Sequence, residues 1–285
     1  MTLISILVGL ALEYFVGTLD HLRNFKWFEQ YLRWIELKCS RLAYWEGPVG
    51  VLITLVFPLL LVFFAGYFLG KINLGLAALL AIAVFVYSLG TDLNSRVNAY
   101  VDALEQDDEE KIHALESQLM VEVPSENRSG NPVISSILLR SQDHIFGVIF
   151  WFVLLGVVGA LLYALVIRMR DKFGELHGGY ATAVQNLYEI LIWPSARLQA
   201  VGFALGGSMV DALEGWRDTQ GDTLSASRSI IISSGLGAVQ YLEDGVGEEQ
   251  MSDIEWIGEI QALLNRALIV WLTVLGIMTI GGFLK

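Results

Sequence analysis

Cysteine is nearly absent: Cys39 stands alone among 285 residues, so no disulfide can form within the chain. Its neighbours Lys38 and Arg41 favour a thiolate slightly, but a packed thiol is the simpler expectation. Histidine is almost as scarce. His21, His113, His144 and His177 are scattered without an HExxH spacing, which excludes a zincin-type hydrolase. There is no GxSxG elbow, and Gly207-Ser208-Met209 sits in an apolar run with no histidine beside it. No stretch alternates with period two, so strands and a dinucleotide fingerprint following one are not expected. Gly66 to Ile72 superficially resembles a phosphate loop. Its glycine spacing is one residue short, and Ile72 stands where Ser or Thr would hold magnesium, so close helix packing explains the glycines better. Basic residues are outnumbered, 18 against 30 acidic ones, and the net charge of −12 excludes nucleic acid as an expected partner.

Long runs without any charge are what the chain has instead. They cover Pro48–Gly70, Ile72–Thr91, Ile145–Ile167 and Ala267–Leu284. A helix of 23 residues, such as Ile145–Ile167, reaches roughly 34 Å, enough for a hydrocarbon core of ~30 Å. The expected fold class is therefore all-α: a polytopic membrane protein with about four spanning helices, short or re-entrant membrane helices and amphipathic helices. The first two runs, separated only by Lys71, form a tight hairpin in which Pro58 introduces a kink. Residues 1–19, apolar except for Glu13, form a short embedded or interfacial helix that is retained, because no basic region precedes them. His21 to Trp45 interleaves aromatic residues with Arg23, Lys26, Arg33, Lys38 and Arg41, the pattern of an amphipathic helix on the membrane surface. Arg96 to Val121 carries a helical stripe (Val97, Tyr100, Leu104, Ile112, Leu115, Leu119) in a soluble region, and Val123 to Pro132 reads as a loop. Leu198–Val210 and Ser229–Leu242 are too short to span and rich in Gly and Ser, which suits closely packed re-entrant or buried helices. Ala267–Leu284 reads as a short final span. Four segments result: 1–47, 48–94 (the hairpin), 95–144 (soluble helices and loop) and 145–285 (third span, cavity-forming region and last span).

Ionisable residues at the margins of these runs are the candidate site. Asp92 and Arg96 lie four apart at the exit of the second run, and Asp143 stands at the entrance of the third. Arg197 follows Trp193-Pro194-Ser195-Ala196, where proline bends or starts a helix. Arg228 precedes the second glycine-rich run. Arginine at membrane depth is costly and faces a carboxylate or a polar cavity, so Arg197 and Arg228 together suggest an anion-binding cavity. The acidic runs Asp102–Glu110 and Glu243–Glu255 hold six acids each and read first as solvated faces, with a cation site as the alternative.

Two blocks carry a family resemblance. Asp143-His-Ile-Phe-Gly-Val-Ile-Phe-Trp-Phe through Gly159-Ala-Leu-Leu-Tyr163 resembles a block of the AmpE family, and Trp193-Pro194-Ser195-Ala196-Arg197-Leu198 resembles its W-x-P-A-R-L segment. With the opening Met1-Thr2-Leu3 and the hairpin spacing, the similarity runs nearly end to end. The resemblance implies a multi-pass protein of the bacterial inner membrane, linked to control of β-lactamase induction and cell-wall recycling. AmpE is in turn similar to the cobalamin-biosynthesis membrane enzymes CbiB and CobD, which form an amide using ATP and magnesium. Aligned through Phe150 and Tyr163, the chain keeps Asp143 of the superfamily's Glu-Asn-x-x-Asp motif. It places Leu139 and Arg140 where Glu and Asn belong, and reads Ile167-Arg168-Met169-Arg170 in place of Asn-Thr-Leu-Asp. Pro194 and Arg197 persist. The resemblance thus implies a regulatory accessory protein whose cavity binds an anionic small molecule, such as a cell-wall precursor or muropeptide, with ligase chemistry lost and no catalytic residue, metal or cofactor expected. The alternative is a CbiB-like ATP- and magnesium-dependent amide-forming enzyme. The lipid bilayer and a second copy of the chain complete the expected partners.

Overall fold

A computed structural model describes residues 2–16, 25–39, 45–90, 92–121, 131–173, 178–219, 224–241 and 251–282. His21, Arg41, Thr91, His177, most of the 123–132 loop and residues 243–250 of the second acidic run lie outside them. The described chain is helical throughout, with no strand among its residues. Short polar side chains set where many helices begin. Asn73 accepts from the Gly75 N–H at 2.7 Å and starts α4 (Leu74–Ser88) one residue after α3 (Pro48–Ile72) ends. Asp92 caps α5 (Leu93–Glu105), Asp108 caps α6 (Glu109–Leu119), and Asn131 caps α7 (Pro132–Ser141), which has proline at its first position. Ser252 and Glu255 form a reciprocal capping box at the start of α12 (Asp253–Ile280).

Four helical stretches are long and apolar enough to cross a bilayer: Pro48–Ile72, Leu74–Glu105, Pro132–Phe173 and Asp253–Ile280. Large apolar side chains stand outward on them, among them Phe57, Leu61 and Phe68 on α3 and Ile269 and Ile277 on α12. Such surfaces suit hydrocarbon rather than water. The protein is an all-α, multi-pass membrane protein.

The chain divides into two units, the first made of residues 1–91, 147–191 and 284–285. It contains α1 (Thr2–Val16), α2 (Lys26–Cys39), α3, α4, α8 (Gly147–Phe173) and the start of α9 (Gly179–Gly206). On α2, Phe28, Leu32 and Ile35 point inward while Trp27, Trp34 and Leu37 are exposed. Pro58 deprives the Thr54 carbonyl of its helical partner, and the Tyr31 hydroxyl donates to that carbonyl at 3.1 Å. The Tyr180 hydroxyl donates to Thr54 Oγ1 at 3.1 Å, and its ring stacks on Trp45. Burial pushes the Tyr180 phenol up to about 12, the Thr54 contact opposing the shift. The folded value lies above the unfolded one near 10, so the stabilisation is complete below pH ~10 and fades as pH rises towards 12. Phenolate absorbance at pH 11 is therefore expected to be nearly the same for the wild type and Tyr180→Phe; a full chromophore's difference would contradict this burial.

The run Ile145–Ile167 does not form the straight span its composition suggests. Gly156 adopts φ 64° and ψ −149° inside α8, outside helical geometry. A Cβ at Gly147 would overlap the Tyr163 ring, and one at Gly159 would overlap the Trp151 carbonyl. In a straight helix Gly147 and Tyr163 would stand about 24 Å apart. Instead α8 doubles back at Gly156 into two antiparallel arms held together by those glycines. The helix also begins earlier than the charge-free run, because α7 and a five-residue π-helical turn, Gln142–Phe146, lead into it without a break.

The second unit comprises residues 92–146 and 192–283. The stripe on α5 and α6 buries Val97, Tyr100 and Leu119. Residues 133–139, expected beside a soluble loop, are instead fully buried on α7. Pro194 neither starts nor ends a helix but lies inside α9. The expected short helix Leu198–Val210 is thus the end of α9 and the first residues of α10 (Met209–Asp218). α10 packs antiparallel on α11 (Ser227–Ala238) through glycine: a Cβ at Gly215 would overlap the Ser233 carbonyl, and one at Gly237 the Asp211 carbonyl. Asp211 accepts from Ser208 Oγ and, at 2.7 Å, from Gln240 Nε2, which hold its carboxyl below the usual range. The last helix is longer than its apolar run, because α12 starts fourteen residues before Ala267.

Candidate functional site

The second unit carries a buried polar seam between the π-helical turn and α9. An extra residue in a helical turn re-aims its side chains, and here Gln142, Asp143 and His144 are all buried. Gln142 Nε2 donates to Ser195 Oγ at 2.5 Å, and Ser195 donates to the Ile192 carbonyl. One turn further along α9, Gln199 Nε2 donates to Ser141 Oγ at 2.9 Å. Gln199 Oε1 is buried and accepts no hydrogen bond, and on α7 the buried Ser135 hydroxyl makes none either. An unmet amide oxygen in a protein interior costs about 1–3 kcal/mol, so this seam has unused capacity for a polar group.

Arg197 lies on the neighbouring face of α9. Its guanidinium stacks on Trp193, 4.2 Å from the ring centroid, donates to the Trp193 carbonyl at 3.0 Å, and reaches Ser227 Oγ at 3.5 Å. Ser227 opens α11, and Arg228 is the next residue. No side chain caps the first turn of α11, and Arg197 reaches that turn at Ser227, next in sequence to Arg228. Behind them Ala200, Ala226 and Ile230 form an apolar base with Trp216 against it. Asp143 sits beside Gln142 in the seam. Asp92 and Arg96 lie in the first turn of α5, where the Asp92 carboxylate accepts from the Ser95 N–H at 3.1 Å. That contact makes Asp92 a helix cap.

The superfamily motif positions that differ in this chain have other work. Arg140 donates to the Leu119 and Gln118 carbonyls at 2.6 Å each and to Met120 O at 3.2 Å, binding the C-terminal end of α6. Leu139 is buried on α7. In the first unit, Arg168 stacks on Phe25 at 4.6 Å and Arg170 on Tyr188 at 4.3 Å, with Asp171 paired to Arg170 at 2.9 Å. Magnesium bound with ATP requires converging oxygen ligands. Among the described residues no three His, Cys, Asp or Glu side chains converge, and the aligned motif positions 139–140 and 167–170 hold a leucine, an isoleucine, a methionine and three arginines. In the acidic run on α5 and α6, Asp108 caps α6 and pairs with Lys111 at 2.7 Å.

Charge patterns pointed to Arg197, Arg228 and Asp143 but not to Ser141, Gln142, Ser195 or Gln199. A search for charges passes over uncharged amides and hydroxyls, and Gln199 lies inside a run that qualifies as apolar.

Comparison with known proteins gives a consistent, partial likeness. The chain is 28% identical over 156 residues to a "Cobalamin biosynthesis protein CobD" of Chromobacterium violaceum, covering 48% of this chain and 49% of that protein. A CobD of Stutzerimonas stutzeri is 29% identical over 113 residues, 39% of this chain and 37% of its own length. The chain thus spans about half, or less, of the length of these relatives. No family model matches, and neither does any solved structure. The likeness supports a relationship with the CobD/CbiB superfamily.

Proposed function

We propose that the chain is a CobD/CbiB-like membrane protein that binds an anionic small molecule beside Arg197, at the arginine-bearing first turn of α11, and acts by binding rather than by ligation. The carrying observation is the reuse of the superfamily's motif positions: Arg140 holds a helix end, and Arg168 and Arg170 lie on aromatic rings. The AmpE resemblance supplies the context: a protein of the bacterial inner membrane that modulates β-lactamase induction, with a cell-wall precursor or muropeptide as the ligand class. The guanidinium groups would bind its carboxylate or phosphate, and the seam's free amide oxygen would accept a hydrogen bond from an amide or hydroxyl. The test is induction of a chromosomal β-lactamase in cells carrying Arg197→Gln with Arg228→Gln. Induction is expected to change by roughly tenfold, the scale of a ~1.4 kcal/mol loss in affinity, with membrane levels of the protein unchanged. Wild-type induction from the double variant would refute the proposal.

The names of the relatives favour a second reading, in which the chain is an amide-forming enzyme of cobalamin biosynthesis. Asp143, kept and buried in the seam, is the residue that speaks for it. Growth of a strain lacking the cobalamin enzyme separates the two readings. The binding reading expects no rescue by this chain.

A further inference from the structure

The first unit holds an apolar groove of about 410 Å³, within the ~300–1,000 Å³ of ligand pockets. Phe63 and Tyr67 of α3, Ala78 and Ala81 of α4 and the folded-back tip of α8 around Gly156 form its walls. Glycine at the tip and alanine on α4 leave this space, because larger side chains would fill it. α3 is long and apolar enough to span a bilayer and α4 forms the apolar start of the second such stretch, Leu74–Glu105, so the groove lies among hydrocarbon-facing helices. One charge lies near it. Lys71, the single charged residue between Pro48 and Thr91, ends α3 and sets its ammonium 4.5 Å from the ring centroid of Tyr67, a wall residue. A lysine at a helix end reaches for the headgroup layer.

We propose that this groove is a lipid site: it takes one acyl chain of an anionic phospholipid, with the phosphate at Lys71. The apolar walls accept the chain, and the lone cation selects the sign of the headgroup in a protein whose net charge of −12 otherwise repels anions. A chain in the groove would also cover the turn at Gly156, where the helical hydrogen-bond ladder of α8 is interrupted.

Native mass spectrometry of the full chain in detergent, titrated with dioleoyl phosphatidylglycerol or dioleoyl phosphatidylcholine, tests it. One phosphatidylglycerol is expected to be retained in preference to phosphatidylcholine. Ala78→Phe should weaken binding by about tenfold or more. Lys71→Gln should abolish the preference between headgroups, and Leu79→Phe, on the outer face of α4, should change neither. Wild-type binding by Ala78→Phe, or a retained preference in Lys71→Gln, would overturn the proposal. Should Ala78→Phe fail to fold, phosphatidylglycerol carrying a diazirine on its acyl chain decides the matter on the wild-type protein. Labels concentrated on residues 77–81 and 152–158 support the site, and labels spread over the outer face of α3 refute it.

Discussion

Gly237→Ala is expected to lower the unfolding free energy by about 2–3 kcal/mol, whereas Gly276→Ala should raise it by about 0.5–1 kcal/mol. The two substitutions add the same methyl group to helices of the same unit. At Gly237 the new Cβ would overlap the Asp211 carbonyl of α10, a backbone atom that cannot rotate away, so the helices must separate. Separation would also strain the contacts that close this pair: the Ser208 N–H on the Ala238 carbonyl at 2.8 Å and Gln240 on Asp211 at 2.7 Å. At Gly276 nothing lies within 4 Å, so only the better helix propensity of alanine remains. Equilibrium unfolding of the purified chain in detergent, followed by helical circular dichroism, gives both values. Equal effects of one sign would show that α10 and α11 are not held by backbone contact. Because α11 opens beside Arg197, loss of the pair should also remove the proposed ligand site.

The opposite fates of these glycines show what composition reveals and what it hides. Uncharged runs located the hairpin of α3 and α4, where hydrophobicity and length suffice, and missed only which residue turns it: Asn73, through its cap, rather than Lys71. They misread Ile145–Ile167, since a straight helix and a folded-back one have the same composition. The difference lies in three glycines. Gly156 allows the positive φ, and Gly147 and Gly159 lack the side chains that would keep the arms apart. Each alone is an ordinary membrane-helix glycine, and only contact across the turn gives them meaning. Helix ends failed for a different reason. α12 begins in polar sequence because a capping box at Ser252 starts helices whatever their hydropathy. Among the candidate site residues, Arg197 and Arg228 stand out in sequence as charges beside apolar runs, whereas the Gln142–Ser195 and Gln199–Ser141 pairs lie at a π-helical turn that no local pattern announces.

Restoring the superfamily's acidic motif should damage this protein rather than revive chemistry in it. Arg140→Asn removes the side chain that reaches three carbonyls at the end of α6, and asparagine is too short to replace it. Two of these bonds are solvent-exposed, so a loss of about 2 kcal/mol is expected, less than three buried charge-assisted bonds would give. Leu139→Glu should cost more, about 4 kcal/mol, because Leu139 is 1% exposed and a carboxylate there would lose its hydration. Unfolding in detergent measures both, and hydrogen exchange should place the Arg140→Asn defect in residues 109–119. A double variant that kept wild-type stability and gained amide-forming activity would show that the ancestral site persists. The geometry argues otherwise: a position that binds magnesium must present oxygen to a cavity, whereas Leu139 is packed in the core and Arg140 is committed to a helix end. Once the fold leans on these two residues, reversing them alone should cost stability before it could rebuild a metal site.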